Sequence, residues 1–373
     1  MNILYVSAKK GWGGVLTWVY RTAIGLEARG HKAWIISHPA SPFTRVAPEG
    51  AKIIPMRLGM DFSPAAILYL VAFIKRRRVD VVVTNIQKEV LAGGLAARIC
   101  GIPNVRMLGN EYDLNDRIRW RQQALVDHTL VPSDATLRAA ASKLAWLDPT
   151  KFSTIYAGCD PVTYPEREIA ELRGSWGIPA ASLVFGITAR LAEVKRIDGL
   201  IAAFEPVARS HREAYLVITG EGPERQRLGT LAREFGLADR VVFAGFTSEP
   251  LKTAAAYDVA VLNSSVEGFP VVIVEYMAAG RPVVATDVGG IGEIVRDGEN
   301  GVLLPAGDEA GLTRSLLALA GDAATRQRLG ENAVRTIRAG FSEAIMVERT
   351  ERVFEMVTGA GGKRGSDIEC SLI

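Results

Sequence analysis

Short, uniformly apolar runs rich in β-branched residues alternate along the chain with longer segments whose apolar positions recur at helical spacing. The first series of runs covers 3–7, 33–37, 79–84, 105–108 and 129–131. A second covers 183–188, 214–219, 240–243, 259–262, 282–285 and 301–304. A run that is apolar throughout, with no polar alternation, suits a strand covered on both faces, and helices of the kind predicted at 15–29 and 200–210 supply the covers. The rhythm pauses over 157–179, a Gly- and Pro-containing stretch with a charged helical insert, and restarts at Leu183. Beyond Asp322 it turns wholly helical, ending in a segment over 341–357. The expected fold class is α/β, with two Rossmann-like, doubly wound parallel-sheet domains over 1–160 and 161–340, a helix over 341–358 and a flexible Gly-rich tail over 359–373.

Bulk properties add little to this picture except through charge. The 373 residues suit two cores better than one, and 48% hydrophobic with 23% charged residues fits a soluble globular protein. The net charge of +3 hides an asymmetry: residues 1–160 hold 21 Lys and Arg against 12 Asp and Glu, and the remainder 23 against 29. A basic first half suggests an anionic partner surface. Cys100, Cys159 and Cys370 show no metal-ligand or redox spacing, which favours a reducing compartment. The opening run lacks a basic stretch before it and reads as a first strand, not a signal peptide. No apolar segment reaches the ~18 residues of a membrane span. The final Cys370-Ser-Leu-Ile373 imitates a prenylation box, but Ser371 fits it poorly. A cytoplasmic protein is therefore expected.

Two doubly wound domains present two sets of carboxyl strand ends, outside which ligands bind. The most informative loop is Asn263-Ser-Ser-Val-Glu267-Gly268-Phe269-Pro270-Val271-Val272-Ile-Val-Glu275. A strand ends near Leu262, Gly268 makes a tight turn, and Pro270 suits the first turn of a helix. The free N–H groups of Val271 and Val272 then form an anion site that a diphosphate fits. Glu267 precedes the helix and Glu275 lies one turn into it. Taken alone, both carboxylates also fit solvated helix-start residues. The loop Arg190-Leu-Ala-Glu-Val-Lys195 follows the first strand of the second half. A cation at a helix start opposes the dipole, so Arg190 and Lys195 read better as a grip on a diphosphate whose charge grows as it leaves. Gly220-Glu-Gly222 is a weak motif, and Gly245-Phe246, at another strand end, is placed to read a nucleobase. In the first half, Gly11-Trp-Gly13-Gly14 imitates a dinucleotide fingerprint but has Leu16 where the third glycine belongs. With no acid after the second strand, NAD is not expected.

Together these loops resemble the retaining glycosyltransferases of two-Rossmann (GT-B) architecture, glycosyltransferase family 4, also called glycosyl transferases group 1. The resemblance covers nearly the whole chain and is strongest over 183–305. Glu267 and Glu275 look like the family's E-x7-E element, and Arg190 with Lys195 like its basic pair. Arg281 to Gly290, with Glu293, Asp297-Gly298 and Gly301, is similar to its C-terminal signature. The resemblance implies two domains facing a central cleft, with the final helix crossing back to the first domain. It implies that Arg190 and Lys195 neutralise the donor diphosphate in place of a metal ion. Glu275 would then hold the ribose and Glu267 the transferred sugar, with the backbone of Gly268 to Val272 on sugar and phosphate. Gly13 and Gly14 would line the acceptor side. No metal or cofactor is expected, the nucleoside-diphosphate sugar being a co-substrate, and the sugar's configuration would be retained.

One departure stands out. Many relatives carry a His after the strand ending near Leu108, where this chain reads Gly109-Asn110-Glu111-Tyr112-Asp113. Asn110 is a candidate to hydrogen-bond a sugar hydroxyl there, and Glu111 or Asp113 to take a proton. The absent His keeps open a non-catalytic nucleotide-sugar- or glycan-binding subunit, and the architecture also admits a nucleotide-sugar epimerase. Expected partners are a nucleotide sugar and a glycan or lipid-linked acceptor, with no nucleic acid. The apolar segment 64–74, ending in Lys75-Arg-Arg-Arg78, reads as a packed helix with cations at its favourable end, or as a contact with anionic membrane at the inner face. Trp12, Trp18, Tyr112 and Trp120 are candidate platforms for acceptor sugars, each also suited to core or rim. His31 reads as structural.

Overall fold

The computed structural model describes residues 1–7, 9, 13–41, 52–59, 63–109 and 114–359. The chain divides into two compact units: Met1–Tyr156 with the segment from Glu343 onward, and Ala157–Ser342. Each is built on one wholly parallel sheet. The tail beyond Gly359 lies outside the described residues.

The first unit holds β1 (Asn2–Val6), α1 (Gly14–Ala28), β2 (Lys32–Ser37), β3 (Lys52–Pro55), α2 (Pro64–Arg77), β4 (Val81–Thr84), α3 (Gln87–Cys100), β5 (Asn104–Met107), α4 (Arg119–Leu125), β6 (His128–Val131), α5 (Asp134–Lys143) and β7 (Phe152–Thr154). The strand order is β3-β2-β1-β4-β5-β6-β7. Alternate residues of the central strands serve two helical layers. Ile3, Tyr5, Val81, Val83 and Val105 pack with Trp18 and Leu26 of α1 and with Met346 and Phe354 of the C-terminal helix, Glu343–Thr358. Leu4, Val6, Ile36 and Val82 pack with Ile67 and Leu70 of α2 and Ala92 and Ala96 of α3. Two-sided burial is why these strands read as continuous apolar runs. β3 and β7 were not among the expected strands; each is a short edge strand, Lys-Ile-Ile-Pro and Phe-Ser-Thr, with one flank unpaired. The C-terminal helix is fastened to α1 and the turn after it: Glu343 pairs with Arg21 at 3.2 Å, and Glu351 with Arg29 at 2.6 Å and His31 at 2.5 Å. His31 is thus a structural residue.

The second unit holds α6 (Glu166–Ser175), β8 (Leu183–Thr188), α7 (Ile197–Ser210), β9 (Ala214–Thr219), α8 (Arg225–Glu234), β10 (Val241–Gly245), α9 (Pro250–Ala255), β11 (Val259–Leu262), α10 (Val271–Ala278), β12 (Val283–Thr286), β13 (Gly301–Leu304), α11 (Glu309–Gly321) and α12 (Ala323–Gly340). The strand order is β10-β9-β8-β11-β12-β13, so the winding direction reverses between β8 and β11. The charged insert foreseen before the second sheet is α6. Its Arg173 is buried and staples the insert to the sheet, donating to Ala256 O at 2.9 Å and to Asp258 Oδ2 at 3.0 Å.

Candidate functional site

The two most informative loops leave β8 and β11, the neighbouring strands at which an open α/β sheet forms its crevice. The end of β8 is fixed by a buried hydroxyl network. The Tyr276 hydroxyl accepts from Thr188 N at 2.6 Å, and the Tyr257 hydroxyl meets Thr188 Oγ1 at 2.9 Å and Thr219 Oγ1 at 3.0 Å. Burial holds the Tyr276 phenol well above its ordinary range and pushes Tyr257 up to about 12, so both remain neutral hydroxyls.

Arg190 stands two residues beyond this anchor. Its guanidinium is exposed and has no hydrogen-bond or ion-pair partner among the described residues. The surrounding backbone is tied down: Ala189 N donates to Thr219 O at 2.9 Å, Leu191 N to Glu221 O at 3.0 Å, and Glu224 N to Leu191 O at 3.1 Å. A Cβ on Gly220 would lie 1.9 Å from Ala189 O, and one on Gly222 2.2 Å from Leu191 O. The Gly-Glu-Gly turn is therefore glycine because it lies directly on the Arg190 loop.

Lys195 and Glu267 meet across the two loops, Nζ to Oε1 at 2.5 Å. Ser264 Oγ donates to the same Oε1 at 2.7 Å, and Ser264 is itself held by Thr286 Oγ1 on its carbonyl at 2.6 Å. Glu267 Oε2 accepts no hydrogen bond among the described residues. Ser265 N donates to Val194 O at 2.8 Å and Asn263 Nδ2 to Arg196 O at 3.2 Å, stitching the loops together. Behind the turn, Gly289 has φ 58°, and Gly290 N donates to Gly268 O at 2.7 Å.

Pro270 is the N-cap residue of α10, one position earlier than its expected place in the first turn, and provides no side-chain cap. The N–H groups of Val271 and Val272 have no acceptor among the described residues, as in any uncapped helix start. Phe269 is buried and stacks on Phe341, with centroids 6.1 Å apart. Glu275 lies in the second turn of α10, 5% exposed. Gly245 ends β10 with φ 74° and accepts Gly220 N at 2.7 Å, beside the exposed ring of Phe246. In the C-terminal signature, Asp297 Oδ1 accepts Leu303 N at 3.0 Å, and buried Asn300 accepts Arg296 N at 2.7 Å; both brace β13.

The structure thus brings Arg190, Lys195, Glu267 and the start of α10 onto adjoining loops of the second unit. Gly13 and Gly14 stand at the exposed start of α1 in the first unit, where the Gly13 carbonyl accepts Leu16 N at 2.9 Å. Asn110, with Glu111, Tyr112 and Asp113, lies outside the described residues. The bracing by Thr188, Tyr257, Tyr276, Thr286 and Gly289 was not read from sequence. Thr286 and Gly289 lie within a quoted motif and Thr188 and Tyr276 beside one, whereas Tyr257 carries no local signal. Chemically, the cluster offers an uncommitted cation and helix-start donors, which suit a diphosphate, and a carboxylate oxygen, which suits a sugar hydroxyl.

Two family models match the chain: glycosyl transferases group 1 over residues 168–336 and glycosyltransferase family 4 over residues 12–162. N-acetyl-alpha-D-glucosaminyl L-malate synthase of Bacillus anthracis is 27% identical over 257 residues, 67% of this chain and 65% of that protein. The lipopolysaccharide core biosynthesis glycosyltransferase LpsE of Rhizobium meliloti is 38% identical over 180 residues, 48% of this chain and 52% of that protein. The chain therefore spans between about half and two thirds of the length of these relatives. Among solved structures, Anabaena HepE in complex with UDP and glucose has the same fold, with a TM-score of 0.82 at 23% identity over 95% of this chain and 100% of that one.

Proposed function

Because the chain belongs to the family 4 glycosyltransferases, with their two-domain Rossmann-like fold, we propose that it transfers a hexose-type sugar from a nucleoside-diphosphate sugar to a glycan or lipid-linked acceptor in envelope or exopolysaccharide biosynthesis. The observation that carries this reading is the convergence of an uncommitted Arg190, the open start of α10 and Glu267 on the loops leaving β8 and β11.

In this reading Arg190 and the N–H groups of Val271 and Val272 grip the diphosphate, and Lys195 divides its charge between that group and Glu267. Glu267 Oε2 accepts a hydroxyl of the transferred sugar, and Glu275 the ribose. The bond from the anomeric carbon to the phosphate oxygen breaks with its electron pair leaving on the nucleoside diphosphate, where Arg190 stabilises it. The acceptor hydroxyl bonds to the anomeric carbon from the same face, and its proton passes to the departing phosphate. Configuration is retained with no covalent sugar–enzyme intermediate, and the fixed cations serve where a metal ion otherwise would.

Incubation with UDP-, GDP- and ADP-sugars and a pool of envelope glycans tests this by release of nucleoside diphosphate. Arg190→Ala and Glu275→Ala are expected to abolish release with the fold intact, and wild-type turnover in both contradicts the assignment. Binding of a nucleotide sugar without release by any acceptor favours the non-catalytic subunit. The reading also rests the first unit on anionic lipid at the inner face of the membrane, through Lys75 to Arg78 at the end of α2, the helix that also carries exposed Leu68 and Tyr69. Absence of co-sedimentation with anionic vesicles at low salt contradicts that part.

A further inference from the structure

We propose that the outward face of α4 and the turn before it bind an acceptor glycan whose sugars carry oxyanions, carboxylate or phosphate. Trp120 is the stacking platform, and Arg117, Arg119 and Arg121 are the counter-charges. The inference rests on the transferase reading above and deepens it by naming the chemical class of acceptor.

Of the four aromatic residues considered as sugar platforms, Trp18 is core at 3% exposure, and Trp12 and Tyr112 lie outside the described residues. Trp120 is 54% exposed. An indole face in water is a large apolar surface with a polar edge, the shape that stacks on the C–H face of a pyranose. The Arg121 guanidinium carbon lies 5.3 Å from its ring centroid. Three arginines fall within five residues, and none has an ion-pair partner among the described residues. The acid of the turn, Asp116, has Oδ1 occupied by Trp146 Nε1 at 2.7 Å, and Arg121 Nε is buried without an acceptor. Arg119 Nε donates only to the neutral Gln123 Oε1, at 3.4 Å, so no carboxylate among the described residues engages the three guanidinium groups. The planar guanidinium matches carboxylate and phosphate better than it matches a hydroxyl.

The platform is rigid. Ile118 and Leu125 are buried, and the Gln122 amide is locked between Arg106 Nη1 at 2.8 Å and Thr129 Oγ1 at 2.7 Å. The inner face of α4 is thus fixed on β5 and β6 while Arg119, Trp120 and Gln123 face solvent. The segment follows the carboxyl end of β5, the edge at which such sheets bind ligands.

The test is isothermal titration of the full chain with trigalacturonate, glucose 6-phosphate, neutral maltotriose and inorganic phosphate. Trigalacturonate or glucose 6-phosphate is expected to bind, more weakly as salt rises, and which of the two binds tells carboxylate from phosphate. Trp120→Ala, and Arg119→Gln with Arg121→Gln, should each weaken that binding by about tenfold or more. Stabilisation of the same variants by nucleotide sugars should match wild type. Equal binding of maltotriose, equal binding of inorganic phosphate, unchanged affinity in the variants, or no binding of either acidic sugar overturns the proposal. Absence of nucleotide-sugar binding by the wild-type chain contradicts the transferase reading and not the acidic-glycan site.

Discussion

Replacing Gly289 by Ala tests whether the Glu267 turn must sit where the structure places it. Gly289 has φ 58°, a region that costs an L side chain about 1–2 kcal/mol. Its new Cβ would lie 2.0 Å from Glu267 O, 2.7 Å from Glu267 C and 2.8 Å from Gly268 O. All three are backbone atoms, so no side chain can swing aside, and the turn itself must retreat by about 1 Å to restore ordinary contact. Overpacking of this kind costs about 1–3 kcal/mol, giving a total near 3 kcal/mol. For a unit of this size that lowers the melting temperature by roughly 6–12 °C. A 1 Å displacement of a group that holds substrate costs about a hundredfold in turnover, so nucleoside-diphosphate release should fall by that order. The assay pairs thermal unfolding with release from the preferred nucleotide sugar. Gly236→Ala is the control: φ is 69° there and no atom lies within 4 Å of the added Cβ, so it should carry only the backbone strain and keep wild-type turnover. A Gly289→Ala protein that melts within about 2 °C of wild type and releases product at the wild-type rate would refute the reasoning.

Tyr276→Phe removes the acceptor of Thr188 N, costing about 1–3 kcal/mol and raising the donor KM through the Arg190 loop. Tyr257→Phe removes contacts to two rotatable Thr hydroxyls and a long one, 3.5 Å, to Ile187 O, and should cost less by urea unfolding; the reverse order contradicts the network. Ser264→Ala deletes one bond to Glu267 and should lower turnover by about tenfold with little change in melting temperature, whereas unchanged turnover removes Ser264 from the site. His128 is buried, which lowers its pKa to about 4 in the folded state, while the unfolded chain binds the same proton near its ordinary 6.5. The unfolded state therefore holds more protons between these values, and stability falls as pH drops from about 6.5 to 4, by up to about 3 kcal/mol. Urea titrations at pH 7 and 5 should show this loss, and His128→Gln should flatten it; an equal slope in the variant contradicts the assignment.

The fold class was legible because both sheets bury both faces, leaving runs such as 183–187 and Val259–Leu262 unbroken by polar residues. β3 and β7 escaped because an edge strand of three or four residues needs no such run: its backbone is satisfied on one side only, and Lys52, Pro55 and Ser153 suit that position. At the site, the loops and the helix start were readable from Gly268, Pro270 and the strand ends. The Lys195–Glu267 pair was not, because it joins residues 72 apart in sequence on two different loops. The tyrosine hydroxyls that fix Thr188 were hidden for a similar reason: in sequence, Tyr257 and Tyr276 are indistinguishable from ordinary core residues. Gly220 and Gly222 read in sequence only as a weak Gly-x-Gly motif, and their role emerges with the backbone they touch.

In the proposed function, the crevice at β8 and β11 holds a nucleoside-diphosphate sugar through Arg190. The most direct measurement is isothermal titration of UDP-, GDP- and ADP-sugars into wild-type protein and Arg190→Ala. A nucleotide sugar should bind wild type, and the variant should lose about 1.5–3 kcal/mol of affinity, roughly 10- to 150-fold, while melting as wild type does. Equal affinity in the two proteins, or no binding of any nucleotide sugar to wild type, would contradict it.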